Sequence, residues 1–207
     1  MPSDTTDPRR HAPATLRNRD ALLEVLRRHL PKRGTVLEIA SGSGEHAAYF
    51  IPRLAETLTW QPSDPEAGAR VSIDAHAGAA RTERIAPALA LDVMAADWPV
   101  AAADAIFCAN MIHIAPLDAV ARLMGGAGRI LPAGGPLILY GPFRRHGDHT
   151  APSNEAFDDH LRMRDPRSGV RDLEGEVLPQ AKRAGLALEA TEAMPANNLT
   201  VVFRKRG

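Results

Sequence analysis

Apolar positions change their spacing several times along the chain, and each change marks an element. Over residues 15–30, Leu16, Ala21, Leu22, Val25, Leu26 and Leu30 recur at helical spacing, and Pro31 ends the segment. The period then shortens. Thr35-Val36-Leu37-Glu38-Ile39-Ala40 is a nearly continuous apolar run, as expected of a strand buried on both faces. A helix over 44–54 and a strand over 58–61 follow, and a further helix starts at Pro65, a residue suited to a first turn. Residues 88–92 read as a third strand and 104–109 as a fourth. A helix over 116–131 passes through the turn Pro132-Ala133-Gly134-Gly135 into a fifth strand, 136–140.

This alternation predicts right-handed βαβ crossovers and a mostly parallel sheet with helices on both faces. After Tyr140 the rhythm changes: a long loop over 141–153, helices near 154–163 and 173–184, then strands at 186–193 and 199–204 joined by Met194-Pro195-Ala196-Asn197-Asn198. A closing antiparallel pair after five parallel strands is unlike a plain dinucleotide-binding domain. Residues 1–13, polar and proline-rich, read as a disordered lead-in, and 14–207 as one domain.

Composition narrows the function. The 207 residues are 44% hydrophobic and 24% charged, ordinary globular usage. Lys plus Arg and Asp plus Glu are 25 each, so no basic excess points to nucleic acid or a membrane surface. No apolar run reaches the roughly twenty residues of a membrane span, and no signal peptide opens the chain. The single cysteine, Cys108, lies in the apolar run Ala105-Ile106-Phe107-Cys108-Ala109 and reads as a buried thiol. A cytoplasmic protein is expected; its oligomeric state is not legible.

The sharpest feature is Glu38-Ile39-Ala40-Ser41-Gly42-Ser43-Gly44-Glu45-His46-Ala47, a glycine loop that follows a strand and opens a helix. Gly42-x-Gly44-x-x-Ala47 matches the dinucleotide fingerprint, so two ligands compete: a nicotinamide or flavin dinucleotide, and S-adenosylmethionine. A dinucleotide sets a pyrophosphate on the helix N-terminus, where the Glu38 carboxylate would repel it. S-adenosylmethionine carries an ammonium and a sulfonium, which the same carboxylate attracts. Asp64, about twenty residues on in Gln61-Pro62-Ser63-Asp64, suits ribose hydroxyls under either reading. Asp92, in Leu91-Asp92-Val93, is a third acid at the same sheet edge, placed to accept from an adenine amino group.

These residues resemble the class I S-adenosylmethionine-dependent methyltransferases: Glu38-x-x-x-Gly42-x-Gly44, Asp64, Asp92 and Asn110-Met111-Ile112-His113 after the fourth strand. Ala40 departs from the pattern, standing where many members carry the loop's first glycine. More closely, the chain resembles the DUF938 (UPF0585, methyltransferase-like 26) family. That resemblance rests on Arg17-Asn18-Arg19-Asp20, Trp60-Gln61-Pro62-Ser63-Asp64, Tyr140-Gly141-Pro142-Phe143, Pro152-Ser153-Asn154 and Met194-Pro195-Ala196-Asn197-Asn198 together with the loop. It implies a Rossmann-like α/β fold with seven strands in the order 3-2-1-4-5-7-6, the seventh antiparallel. It also implies a cofactor set of Glu38, Ala40, Ser41, Gly42, Gly44, His46, Asp64, Asp92, Val93 and Asn110.

The expected function is a methyltransferase acting on a small molecule, with S-adenosylhomocysteine as product. A non-catalytic binder of the same cofactor, or an NAD-type oxidoreductase, is the alternative. His113, following the fourth strand where the methyl group should point, is the candidate general base. Asn-Met-Ile-His is not the Asn/Asp-Pro-Pro-aromatic signature of amide or exocyclic-amine methylation. Acceptor-binding candidates lie beyond the cofactor half: Arg17, Asn18, Tyr140, Phe143, Asn154 and Asn197. His146, Asp148 and His149 match no familiar metal spacing, and no metal is expected.

Overall fold

A computed structural model describes residues 7–207. Helix α1 (Pro13–His29) starts on a proline, whose missing N–H costs nothing in a first turn, and ends with Arg27, Arg28 and His29 against the negative end of its dipole. Strand β1 (Gly34–Ile39) then enters the middle of the sheet. It pairs in parallel with β2 (Leu58–Pro62) on one side and β3 (Ala105–Ala109) on the other, and β4 (Pro136–Gly141) continues outward from β3. The remaining helices of this half are α2 (Glu45–Phe50), α3 (Ala67–Ala79), the single turn α4 (Met111–Ile114) and α5 (Asp118–Ile130).

Alternate strand residues feed two cores. Leu37, Ile39, Ile106, Cys108, Leu137 and Leu139 pack under α5, whereas Val36, Ala105, Phe107, Ile138 and Tyr140 pack under α1 and α2. Covering both faces of a parallel sheet in this way explains the unbroken apolar runs of its strands. Because the chain moves outward from β1 in one direction and from β3 in the other, a crevice opens at their carboxyl ends.

Beyond β4 lie a short hairpin, β5 (Arg144–Arg145) with β6 (Asp148–His149), and helix α6 (Pro152–Arg164). The helix expected over 173–184 divides into a π-helical turn, Leu173–Val177, and α7 (Leu178–Arg183). Pro179, without an N–H to extend the ladder, sits where the turn changes. Strands β7 (Leu186–Met194) and β8 (Asn198–Lys205) close the sheet, with β8 antiparallel to both neighbours, in the order β2-β1-β3-β4-β8-β7.

The sheet has six strands, one fewer than expected. The strand predicted at 88–92 is missing because residues 84–89 meet β2 only through isolated parallel bridges, Trp60 with Ile85 and Ser63 with Leu89. Pro87 interrupts the ladder between them, and the Ala88 N–H turns away to Asp74 Oδ1, 2.8 Å away. This segment still lies where the third strand of the expected order belongs.

Of the expected lead-in, residues 1–6 lie outside the described residues, and residues 10–12 are tied down. Arg10 donates its N–H to Ser72 Oγ and its guanidinium to Glu66, and the Ala12 N–H donates to Glu45 Oε2. Among the described residues no helix is long and apolar enough to cross a membrane.

Candidate active site

The loop between β1 and α2 turns on three residues of positive φ: Ala40 at 54°, Gly42 at 60° and Gly44 at 90°. Gly44 has a steric reason for its identity, since a Cβ there would lie 2.5 Å from the Ile73 backbone on α3. Gly42 faces open space, with no atom within 4 Å of where its Cβ would stand. Ser41 ties the loop to the end of β2, donating its N–H to Ser63 O (2.8 Å) and accepting the Ser63 N–H at Oγ (3.1 Å). Asp64 accepts the N–H groups of Gly42 (3.1 Å) and Glu66 (3.0 Å), one at each carboxylate oxygen. Fixed in this way, each oxygen keeps a lone pair for a ligand hydroxyl.

Beneath the loop Glu38 is buried, 2% exposed, and accepts the Trp60 indole N–H at 2.9 Å. Burial pushes its carboxyl up to about 7 against the pull of that hydrogen bond. His46, stacked on Phe50, is held near 4 by burial and is neutral at physiological pH. Its Nε2 lies 2.9 Å from Asn18 Oδ1, which can only accept, so the proton sits on Nε2. The bare Nδ1 then faces Glu38 Oε1 at 3.9 Å, an arrangement that favours a protonated Glu38 until a cation arrives. At the outer edge Asp92 is exposed and accepts the Met94 N–H (2.9 Å), while Val93 beside it is buried.

A second compartment adjoins this crevice. A cavity of about 920 Å³ is lined by Arg17 and Asn18 of α1, Asn110, Ile114, Tyr140, Phe157 of α6 and the turn Pro195–Asn198, among others. Five of the six predicted acceptor residues, Arg17, Asn18, Tyr140, Asn154 and Asn197, converge there. Asn110, expected among the cofactor residues, lies on the cavity wall, held by an N–H bond to Tyr140 O (2.7 Å). Asn110, Ala196 and Asn197, three of the six non-glycine residues with positive φ among the described residues, all line this cavity.

Two expected residues are placed otherwise. Phe143 is wholly buried, edge-on to His113 at 4.9 Å, and takes no part in the cavity wall. His113 is also wholly buried, and its Nδ1 accepts the Arg171 N–H at 3.2 Å. That bond puts the proton of the neutral ring on Nε2, which has no partner and points at Gly141, where a Cβ would lie 2.5 Å from it. Burial depresses its pKa to about 3. In this setting the Nδ1 lone pair is taken by Arg171 and Nε2 is left without a partner among the described residues. The sequence missed Ile114 and Phe157, although Phe157 is a lone aromatic on a polar helix and signals a wall or an interface.

Solved methyltransferases share the architecture. The mitomycin 7-O-methyltransferase MmcR superposes with a TM-score of 0.76 at 16% identity, covering 93% of this chain and 54% of its own. An O-methyltransferase family 2 protein from Planctomyces limnophilus, in complex with apigenin, gives 0.75 at 20% identity, with 91% and 56% covered. The calicheamicin-biosynthesis methyltransferase CalO1, with S-adenosylhomocysteine bound, gives 0.70 at 20% identity, with 89% and 53% covered. The chain therefore has a Rossmann-like methyltransferase fold and spans a little over half the length of these proteins. A family model described as "Protein of unknown function (DUF938)" matches residues 9–205, and the chain belongs to that family.

Proposed function

We propose that this protein is a cytoplasmic S-adenosylmethionine-dependent methyltransferase acting on a small molecule. One observation carries the reading: a buried, ionisable Glu38 and an anchored Asp64 flank the open face of Gly42, and a cavity large enough for a drug-sized acceptor begins at Asn110 next door. Glu38 suits the cofactor's ammonium, and Ala40, Ser41, Gly42 and Gly44 give the close backbone approach. Asp64 suits the ribose hydroxyls, Asp92 and Val93 the adenine, and His46 keeps Glu38 oriented. When bound, the cofactor supplies a methyl group made electrophilic by its sulfonium.

The residues of this chain contribute position and exclusion of water. Tyr140 and Asn110 hold the acceptor side of the junction, and Ile114 and Phe157 give it an apolar wall. Holding two reactants in line supplies a large share of the barrier reduction in such a displacement. His113, neutral and wholly buried, ties the turn after β3 to the 169–171 segment through the Gly169 and Arg171 N–H groups and is not assigned as the base. The cavity's size also favours a catalyst over a simple cofactor sensor, and the formal charge balance of the chain offers nothing to nucleic acid.

Calorimetric titration with S-adenosylmethionine, S-adenosylhomocysteine and NAD tests the proposal. Saturable binding of the first two, lost in Asp64→Ala, with NAD silent, is the expected result. Binding of NAD alone would overturn it.

A further inference from the structure

The acceptor cavity is chemically two-ended. Among the described residues, Arg17 is the one charged side chain on its lining, and no carboxylate lines it. Of the nearby charged groups, the Arg19 and Arg53 guanidiniums both lie over the Tyr49 ring, and Asp20 accepts the Tyr49 hydroxyl. Beside Arg17 the Tyr140 hydroxyl and the Asn18 side chain share the same lining. Asn18 Oδ1 accepts from His46, which leaves the Asn18 amide N–H groups as donors. The Tyr140 hydroxyl, on the same lining, can donate to a ligand as well. This end of the cavity offers donors and a positive charge.

The far end is richer in acceptors. Asn154 is 5% exposed, and both hydrogens of its amide are used, on Thr150 Oγ1 (3.0 Å) and Asn197 O (2.9 Å). The Asn197 amide donates to Ser153 Oγ (3.1 Å) and that of Asn198 to Pro195 O (3.1 Å). What Asn154 and Asn198 have left to offer are carbonyl oxygens, which only accept, while Asn197 keeps its carbonyl oxygen and one amide hydrogen. The same lining carries Ile114, 59% exposed, and Phe157, 37% exposed, apolar side chains left open by the fold itself.

We infer that the cavity takes a small organic acid with a hydrogen-bond donor at its other end, a hydroxy- or amino-acid. Its carboxylate is set against Arg17 and Tyr140, its O–H or N–H against the asparagine carbonyls, and its apolar body against Ile114 and Phe157. The inference deepens the methyltransferase reading and depends on it only for what happens to the bound acid. A neutral ligand would leave the Arg17 charge unmatched, and a cation would be repelled by it.

The test uses full-length protein, with and without saturating S-adenosylhomocysteine, titrated calorimetrically with 4-hydroxybenzoate, 4-hydroxybenzamide and benzoate. A charge-assisted contact makes the hydroxybenzoate bind about tenfold or more tighter than its amide. Arg17→Gln, at an exposed position, should abolish that preference and leave the amide unchanged. Benzoate should bind several-fold more weakly than hydroxybenzoate, reporting the asparagine end. Equal affinity for acid and amide, a preference that survives Arg17→Gln, equal affinity for benzoate and hydroxybenzoate, or no saturation by any probe up to about 10 mM would each overturn the inference. Failure of S-adenosylhomocysteine to bind would instead overturn the methyltransferase reading, because the acid preference is also measured without it.

Discussion

Replacing Glu38 by Gln tests the electrostatics of the cofactor crevice while keeping its shape, since the amide oxygen can still accept the Trp60 N–H. Burial lifts the wild-type carboxyl from 4.5 to about 7, and unfolding returns it to water. Below pH 4.5 the group is protonated in both states, so the carboxyl contributes as a neutral group, like the amide. As pH rises from 4.5 toward 7, the unfolded chain releases the proton and the folded chain retains it. Wild-type stability therefore falls against the variant by about 1.4 kcal/mol per pH unit. Above 7 both states are ionised and the gap levels off at about 3 kcal/mol, the free-energy equivalent of that difference in pKa. Urea unfolding followed by the fluorescence of buried Trp60 measures it, with the variant ahead at about pH 8 and level at about pH 4. Contributions of other titrating groups cancel between the two proteins. In the same pair, wild-type affinity for S-adenosylmethionine should rise as pH rises through 7, while the variant binds weakly at every pH. A stability gap that does not change with pH would refute the reasoning, because Glu38 would then have the same pKa folded and unfolded.

The two buried histidines act in the opposite sense. Their folded pKa values, about 4 for His46 and about 3 for His113, lie below the ordinary 6.5, so the stability they lend is present above 6.5 and is lost on acidification. Between pH 6.5 and 4.5 two histidines outweigh one glutamate, and the wild-type protein should lose net stability at about 1.4 kcal/mol per pH unit; stability that rises over this range would contradict the buried, neutral rings. Gly44→Ala should cost about 2 kcal/mol or more, because a Cβ at φ 90° meets the α3 backbone, and a melting temperature unchanged from wild type would disprove that approach. Cys108, buried with its thiol pushed up to about 12, should resist a thiol reagent in the native protein and react fully in urea.

The alternation of strands and helices was legible because strands buried on both faces are uniformly apolar and the helices between them are not. The glycine loop was legible for a related reason: Glu38, Gly42 and Asp64 stand at fixed positions relative to strand ends. The third strand was misjudged because its apolar residues satisfy the pattern, whereas Pro87 decides the hydrogen bonds. His113 looked like a base because its neighbours in sequence place it at the sheet edge. Its protonation is set by an N–H from Arg171, 58 positions away, and no local pattern carries that information. Arg17, Asn154 and Asn197 were read as polar residues of loops and helix ends, and the structure puts them on one cavity lining; which amide hydrogens the fold consumes there depends on contacts such as Asn154 to Asn197, 43 positions apart.

The placement of β8 also governs the order in which the protein can be made. It leaves the ribosome after every other strand yet lies inside the sheet, between β4 and β7. Until it emerges, β4 has an open edge and β7 has no strand to pair with, so a nascent chain displays two unsatisfied edges of apolar sequence. The turn 195–197 that walls the cavity is held between these same two strands. The crevice at the carboxyl ends of β1, β2 and β3 can therefore form during synthesis, while the cavity walled by this turn must wait for β8.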